Sequence, residues 1–257
     1  MTGEHSWLSL RRVRLASGLI MFVYLTQHLL NHALGLVSLD LAEHGLRFSL
    51  LIWRNPVATA LLYGAAATHF LLALWTLYSR REWHLPLIEI VRLATAFSFP
   101  MLLIGHAVTT RLGDALYDLH PTYALIVGNL VAQGNEGTQL ALLAPGWVHG
   151  CLGLWISLRR ITLMQRLKWP LIALVILLPL AAAFGFLAMV QEVAVLPPIP
   201  VPGSQTLAAQ ASLTGWRDVM RNSYLGLIAG VFVIGRMRAL FLHRTTRKTT
   251  VDVRKVT

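Results

Sequence analysis

The chain has 257 residues, 56% of them hydrophobic and only 13% charged; this excludes an ordinary soluble domain and, with several apolar runs of about 20 residues, points to a polytopic helical membrane protein. The net charge of +11 does not argue for a nucleic-acid partner, because the basic residues cluster at the ends of apolar runs, where they orient a membrane protein. A single cysteine, Cys151, excludes both an intrachain disulfide and covalent c-type haem attachment.

Six runs are long enough to cross a hydrocarbon core of about 30 Å, at roughly 15 to 37, 56 to 78, 89 to 110, 139 to 158, 169 to 190 and 221 to 242. The first is too long for a signal-peptide core and is kept as a mature helix. Asn55-Pro56 opens the second, Pro145 falls early in the fourth and Trp169-Pro170 opens the fifth. The run Tyr123 to Ala132 is too short to span and reads as an interfacial or re-entrant piece. Leu196 to Gly203 is a proline-rich connector read as a spacer. Of the lysines and arginines, all but Arg47, Arg54, Arg111, Arg217 and Arg221 fall on one side, which places both termini in the cytoplasm. Residues 1–242 then form the six-helix membrane domain and 243–257 a basic cytoplasmic tail, where the alternation of Val251 and Val253 predicts the start of a strand.

Histidines inside the spans carry the chemistry. His28 and His32 lie one turn apart on helix one, His69 is in the middle of helix two, His106 toward the outer end of helix three and His149 in the outer half of helix four. Helices five and six have none within their spans, so a four-helix bundle of helices one to four is expected to form the site, with the last two helices beside it. An ionisable side chain at membrane depth is costly and marks a function by default, and histidine is a common haem and metal ligand. At about 1.5 Å per residue, His28, His32 and His106 fall at similar depth nearer the outside, and His69 matches His149 nearer the middle. In an up-down bundle these are diagonal partners. The arrangement suits two bis-histidine b-type haems, with proton relay or transition-metal binding as alternatives. A porphyrin needs small residues beside its ligands, and Ala65, Ala66 and Ala73 flank His69 while Gly146 and Gly153 flank His149. Its propionates need cations, for which Arg54 and Arg111 outside, or Arg14, Arg92 and Arg159 inside, are placed. His5, His44, His84, His120 and His243 lie in loops or tails and carry no assigned role. No Walker loop, His-Glu-x-x-His or intramembrane carboxylate pair is present, so the chain itself shows no catalytic site.

Gly18 followed ten residues later by His28, then single histidines in later helices, resembles the dihaem cytochrome b anchors of succinate dehydrogenase and fumarate reductase. His28-Leu-Leu-Asn-His-Ala-Leu-Gly-Leu-Val-Ser38, Leu61-Leu-Tyr-Gly64 with His69, Pro100 with His106, and Gly146-Trp-Val-His-Gly-Cys-Leu-Gly153 more closely resemble the six-helix dihaem anchors at the N-terminus of some bacterial class III adenylate cyclases. The resemblance implies a haem-bearing sensor of membrane redox state, fed by the quinone pool, in a bacterial plasma membrane. It also implies a homodimer and a cytoplasmic cyclase domain in a longer parent chain. The other reading is a respiratory anchor subunit that reduces quinone beside separate flavin and iron-sulfur subunits. The Gly18 spacing favours His28 as the ligand and the depth match with His106 favours His32, so both stay open.

Overall fold

The computed structural model describes the backbone of residues 2–197 and 203–256 and the side chains of residues 9–197 and 207–242. It is all-α, and six of its helices are long and apolar enough to cross a membrane. Within the described residues, α1 is Thr2–Ala33, α2 Leu39–Trp53, α3 Pro56–Ser79, α4 Leu87–Ala107, α5 Gly113–Tyr117, α6 Tyr123–Gln133, α7 Glu136–Leu158, α8 Thr162–Arg166, α9 Lys168–Ala194 and α10 Gly203–Val256. The spans are α1, α3, α4 continued into α5, α7, α9 and α10. They alternate in direction, so one end of the bundle gathers Arg11, Arg12, Arg80, Arg81, Arg159, Arg160, Arg236 and Arg238. This is called the basic end below. The other end carries α2 and α6 and is called the cap end.

Local chemistry sets the helix starts. The Ser38 hydroxyl accepts the Leu41 N–H at 3.0 Å to open α2, Asn55 accepts the Val57 N–H at 3.0 Å with Pro56 at the first helical position of α3, and Thr122 accepts the Leu125 N–H at 3.1 Å to open α6. Two of these N-termini also receive a carboxylate from a distant helix: Glu192 of α9 accepts the Leu39 N–H at 2.9 Å, and Glu43 of α2 accepts the Ala124 N–H at 3.0 Å. Each carboxylate satisfies an orphan donor and meets the positive end of a helix dipole, tying the cap together.

Packing departs from a closed four-helix bundle. α1 packs on α3, α7 and α9, and α4 packs on α7, while α10 stands between α3 and α4. α1 therefore faces α4 across the bundle, and α3 faces α7. α9 is closer to the centre than a flanking helix would be, since Leu178, Ala182, Phe186 and Met189 are all buried. At its crossing with α1, a methyl on Gly185 would run into the His32 carbonyl oxygen, and one on Gly35 would lie 2.5 Å from the Gly185 carbonyl oxygen. Only glycine permits this backbone contact.

Proline within a span leaves a carbonyl without its donor. Pro179 removes the N–H that would bond Val175 four residues earlier, and Trp147 Nε1 of α7 donates to that carbonyl at 2.8 Å. Near the Pro100 bend of α4, Tyr224 of α10 donates its hydroxyl to the Phe97 carbonyl at 2.9 Å.

Three sequence expectations are corrected. Residues 39–53 form a helix, α2, for which no element was expected. The sixth span begins before 221: α10 is already helical at Gly203 and its apolar part is Leu207–Leu242. The strand expected at Val251 and Val253 is absent, because α10 stays helical through Val256; after Gly235 no glycine or proline interrupts it. The connector expectation over Leu196 to Gly203 falls largely outside the described residues.

Candidate functional site

The five span histidines converge in two groups at two levels. Nearer the basic end, His69 of α3 and His149 of α7 face each other across the bundle with ring centroids 6.2 Å apart. Nearer the cap end, His28 of α1 stands between His32, one turn along its own helix at 4.7 Å, and His106 of α4 at 5.7 Å. Gly18, whose added methyl would lie 3.3 Å from His69 Cε1, and His28 are ten residues apart on α1, about 15 Å of helical rise between the two levels.

The His69–His149 pair is oriented from behind. Ser17, 5% exposed, donates its hydroxyl proton to the Arg14 carbonyl at 3.0 Å, so its oxygen accepts from His69 Nδ1 at 3.2 Å. His149 Nδ1 lies 3.2 Å from the Arg92 carbonyl, an oxygen that only accepts, so that nitrogen also carries the proton. Both Nε2 atoms are left with free lone pairs and no hydrogen bond among the described residues. Nδ1–H held by an oxygen with Nε2 bare is the arrangement of metal-ligating histidines.

The cap-end group is built differently. His106 Nδ1 meets the Gln139 side-chain amide at 3.1 to 3.3 Å, again leaving Nε2 without a partner. His28 Nε2 and His32 Nε2 are 3.2 Å apart and share a proton. His32 is 5% exposed, walled by Tyr123 and Phe186, and its Nδ1 is buried with no hydrogen-bond partner among the described residues. Tyr123 accepts from Asn31 Nδ2 at 3.0 Å, and burial pushes its phenol pKa up. Just beyond His106 the helix widens into a π-helical turn over Val108–Leu112, with Thr110 donating to the His106 carbonyl at 2.8 Å. Such turns gather at functional positions.

The donor set fits a bis-histidine haem. Two imidazoles sharing one metal at the usual ~2 Å metal–nitrogen distance hold their ring centroids about 6 Å apart. Around His149 the fit is mixed: a methyl on Gly153 would meet nothing within 4 Å, but one on Gly146 would lie 2.5 Å from the Phe99 ring, so Gly146 accommodates Phe99. Ala65 is buried beside His69. Among the expected propionate partners, Arg54 is 2.6 Å from Asp114 and Arg92 is 2.8 Å from Glu89, so both are already paired. Arg14 donates to Thr76 at 2.7 Å. Arg111, in the π-helical turn, has no ion pair among the described residues.

Sequence reading passed over the partners Ser17, Gln139 and Tyr123, whose roles depend on contacts between helices. It also left His120 aside, whereas Asp114, Asp118 and His120 bring their ligand atoms within 4.8 Å of one another at the cap end. Asp114 is claimed there by Arg54, and the remaining two are exposed.

No protein-family model, curated protein or solved structure matches the chain.

Proposed function

We propose that this chain is a membrane-embedded b-type cytochrome domain that takes two haem b groups, one between His69 and His149 and one between His28 and His106. The observation that carries the reading is the first pair: two imidazoles on opposite helices, each with Nδ1–H held by an oxygen and Nε2 bare. A plain interhelical hydrogen bond between the two rings would use those nitrogens, and a proton relay would connect them to further titratable groups. His28 is assigned in preference to His32 because its ring is the one that neighbours His106. The haems would supply one-electron exchange, and the protein's part is to hold them about 15 Å apart along the membrane normal in a dry bundle.

The role that best fits is redox sensing: the domain exchanges electrons with membrane quinone and reports its state to a cyclase domain of a longer chain. The basic end lies in the cytoplasm by the positive-inside rule, and the membrane is a bacterial plasma membrane. Supporting a sensor over a respiratory anchor is α10, which stays helical for 14 residues beyond Leu242 at the basic end, as a rod leading to a further domain would.

The test is a reduced-minus-oxidised spectrum with pyridine haemochrome quantitation on the purified chain and on His69→Ala and His106→Ala. Two haems per chain, falling to one in each variant, is the expected result. A colourless protein overturns the reading, and flavin or iron-sulfur subunits co-purifying with a haem-bearing chain replace the sensor with the respiratory anchor.

A further inference from the structure

The depth of α10 can be read from its neighbours. Tyr224 lies against Phe70 with ring centroids 6.1 Å apart, Gly235 rests on the backbone of Tyr78, and α3 and α10 run in the same direction. Arg221 and Asn222 are therefore level with residues 64–68 of α3, about 12 Å or more inside that helix's cap end at Pro56. The contacts of Tyr224 with the Phe97 carbonyl and of Arg217 with Gly105 give the same depth against α4, near Pro100.

At that depth the two side chains face away from the bundle. Arg221 pairs with Asp218 at 3.0 Å, yet the two are 46% and 47% exposed. Asn222 is exposed and has no hydrogen-bond partner among the described residues. Arginine and asparagine facing hydrocarbon are costly, and polar groups inside a membrane face protein or water. On the same face, one and two turns beyond Asn222, Gly226 and Gly230 are open, with nothing within 4 Å of an added methyl. The glycines allow a close approach of backbones, and the polar residues identify what approaches.

We infer that this face of α10 is covered by the same face of a second copy of the chain. Two copies inserted in one membrane share an orientation, so their α10 helices run parallel about a two-fold axis along the membrane normal. The face suits that occupant because it carries both signs of charge one turn apart: Asp218 of each copy meets the partner's Arg221, and the reverse. Asn222 meets its own equivalent, as an asparagine in a parallel helix pair does. Lipid would satisfy none of these groups. The inference does not depend on the haem reading, since no histidine lies on this face.

The experiment uses the full chain in nanodiscs and in mild detergent, with mass read by light scattering and haem content read alongside. The native chain is expected at twice the protomer mass. Gly226→Leu combined with Gly230→Leu is expected to halve that mass, with helical circular dichroism and haem content unchanged. In a Cys151→Ser background, Asn222→Cys is expected to form a disulfide-linked dimer in native membranes under mild oxidation, while Leu177→Cys, on the exposed face of α9, stays monomeric. A native chain at protomer mass in both environments overturns the inference. So does cross-linking at Leu177→Cys equal to that at Asn222→Cys, or capture of a different protein by the cysteine at 222.

Discussion

The two histidine groups use the same side chain in opposite ways. His69 and His149 are each fixed from behind by an oxygen of another helix, Ser17 Oγ and the Arg92 carbonyl, so both Nε2 lone pairs are set before any ligand arrives. His28 has its Nε2 engaged with His32, and only His106 is fixed from behind, by Gln139. Ligation at the first pair requires no rearrangement, whereas at the second His28 must give up a shared proton first. Preorganisation of this kind is worth free energy because nothing has to be reordered or desolvated on binding. The basic-end site should fill first and hold its haem more tightly.

The sharpest way to break this comparison is to separate His28 from His32. His28→Ala is expected to lose one haem of two, while His32→Ala keeps both and, by freeing His28 Nε2, tightens the second. Haem titration into the apoprotein followed by pyridine haemochrome reads this directly. If His32→Ala loses a haem and His28→Ala does not, the ligand assignment is reversed. Next in size is Gly185→Ala, whose new methyl would be driven into the His32 carbonyl, backbone against backbone. Overpacking of this kind costs about 1 to 3 kcal/mol. The expected outcome is a lower detergent melting temperature and a changed cap-end spectrum, with the His69–His149 haem unaffected. Ser17→Ala probes the other site by removing the oxygen that holds His69 Nδ1–H. Loss of such a supporting group weakens metal binding by about 10-fold or more, so the basic-end haem should titrate later than in the native chain, and Ser17→Thr should restore it.

How much of this was legible in the sequence follows from what each feature depends on. The spans needed only length and hydropathy. The diagonal grouping of His69 with His149, and of His28 or His32 with His106, needed only helical rise and alternating direction, and the rings do meet in those groups. The choice between His28 and His32 was not legible, because the two share a helix face and are separated by an approach of α4 that spacing cannot give. α2 was missed because it buries Leu39 and Ala42 while exposing Leu41, Phe48 and Leu51, a pattern that His44 and Arg47 interrupt as a loop would. α10 was read too short because Arg217, Asp218 and Arg221 look like the water-facing end of a span. Their depth appears only when Tyr224 is seen against Phe70 and Phe97.

The smallest predicted effect tests whether the two sites are mechanically joined. Trp147 lies two residues before His149, and its Nε1–H bonds the Val175 carbonyl that Pro179 leaves orphaned in α9, the helix whose Phe186 walls His32. Trp147→Phe keeps most of the buried ring and its stacking on Phe22, now 5.1 Å between centroids, but strips the donor. Hydrogen bonds between membrane helices average roughly 0.6 kcal/mol, because the alternative states also find partners, so the stability loss should be small. If α7 and α9 move as one body through this bond, both haem spectra shift slightly and together in Trp147→Phe. If the bond serves only to satisfy the proline gap, water or a local turn of α9 meets the Val175 carbonyl instead. In that case the melting temperature falls by the same small amount while both spectra stay where they were.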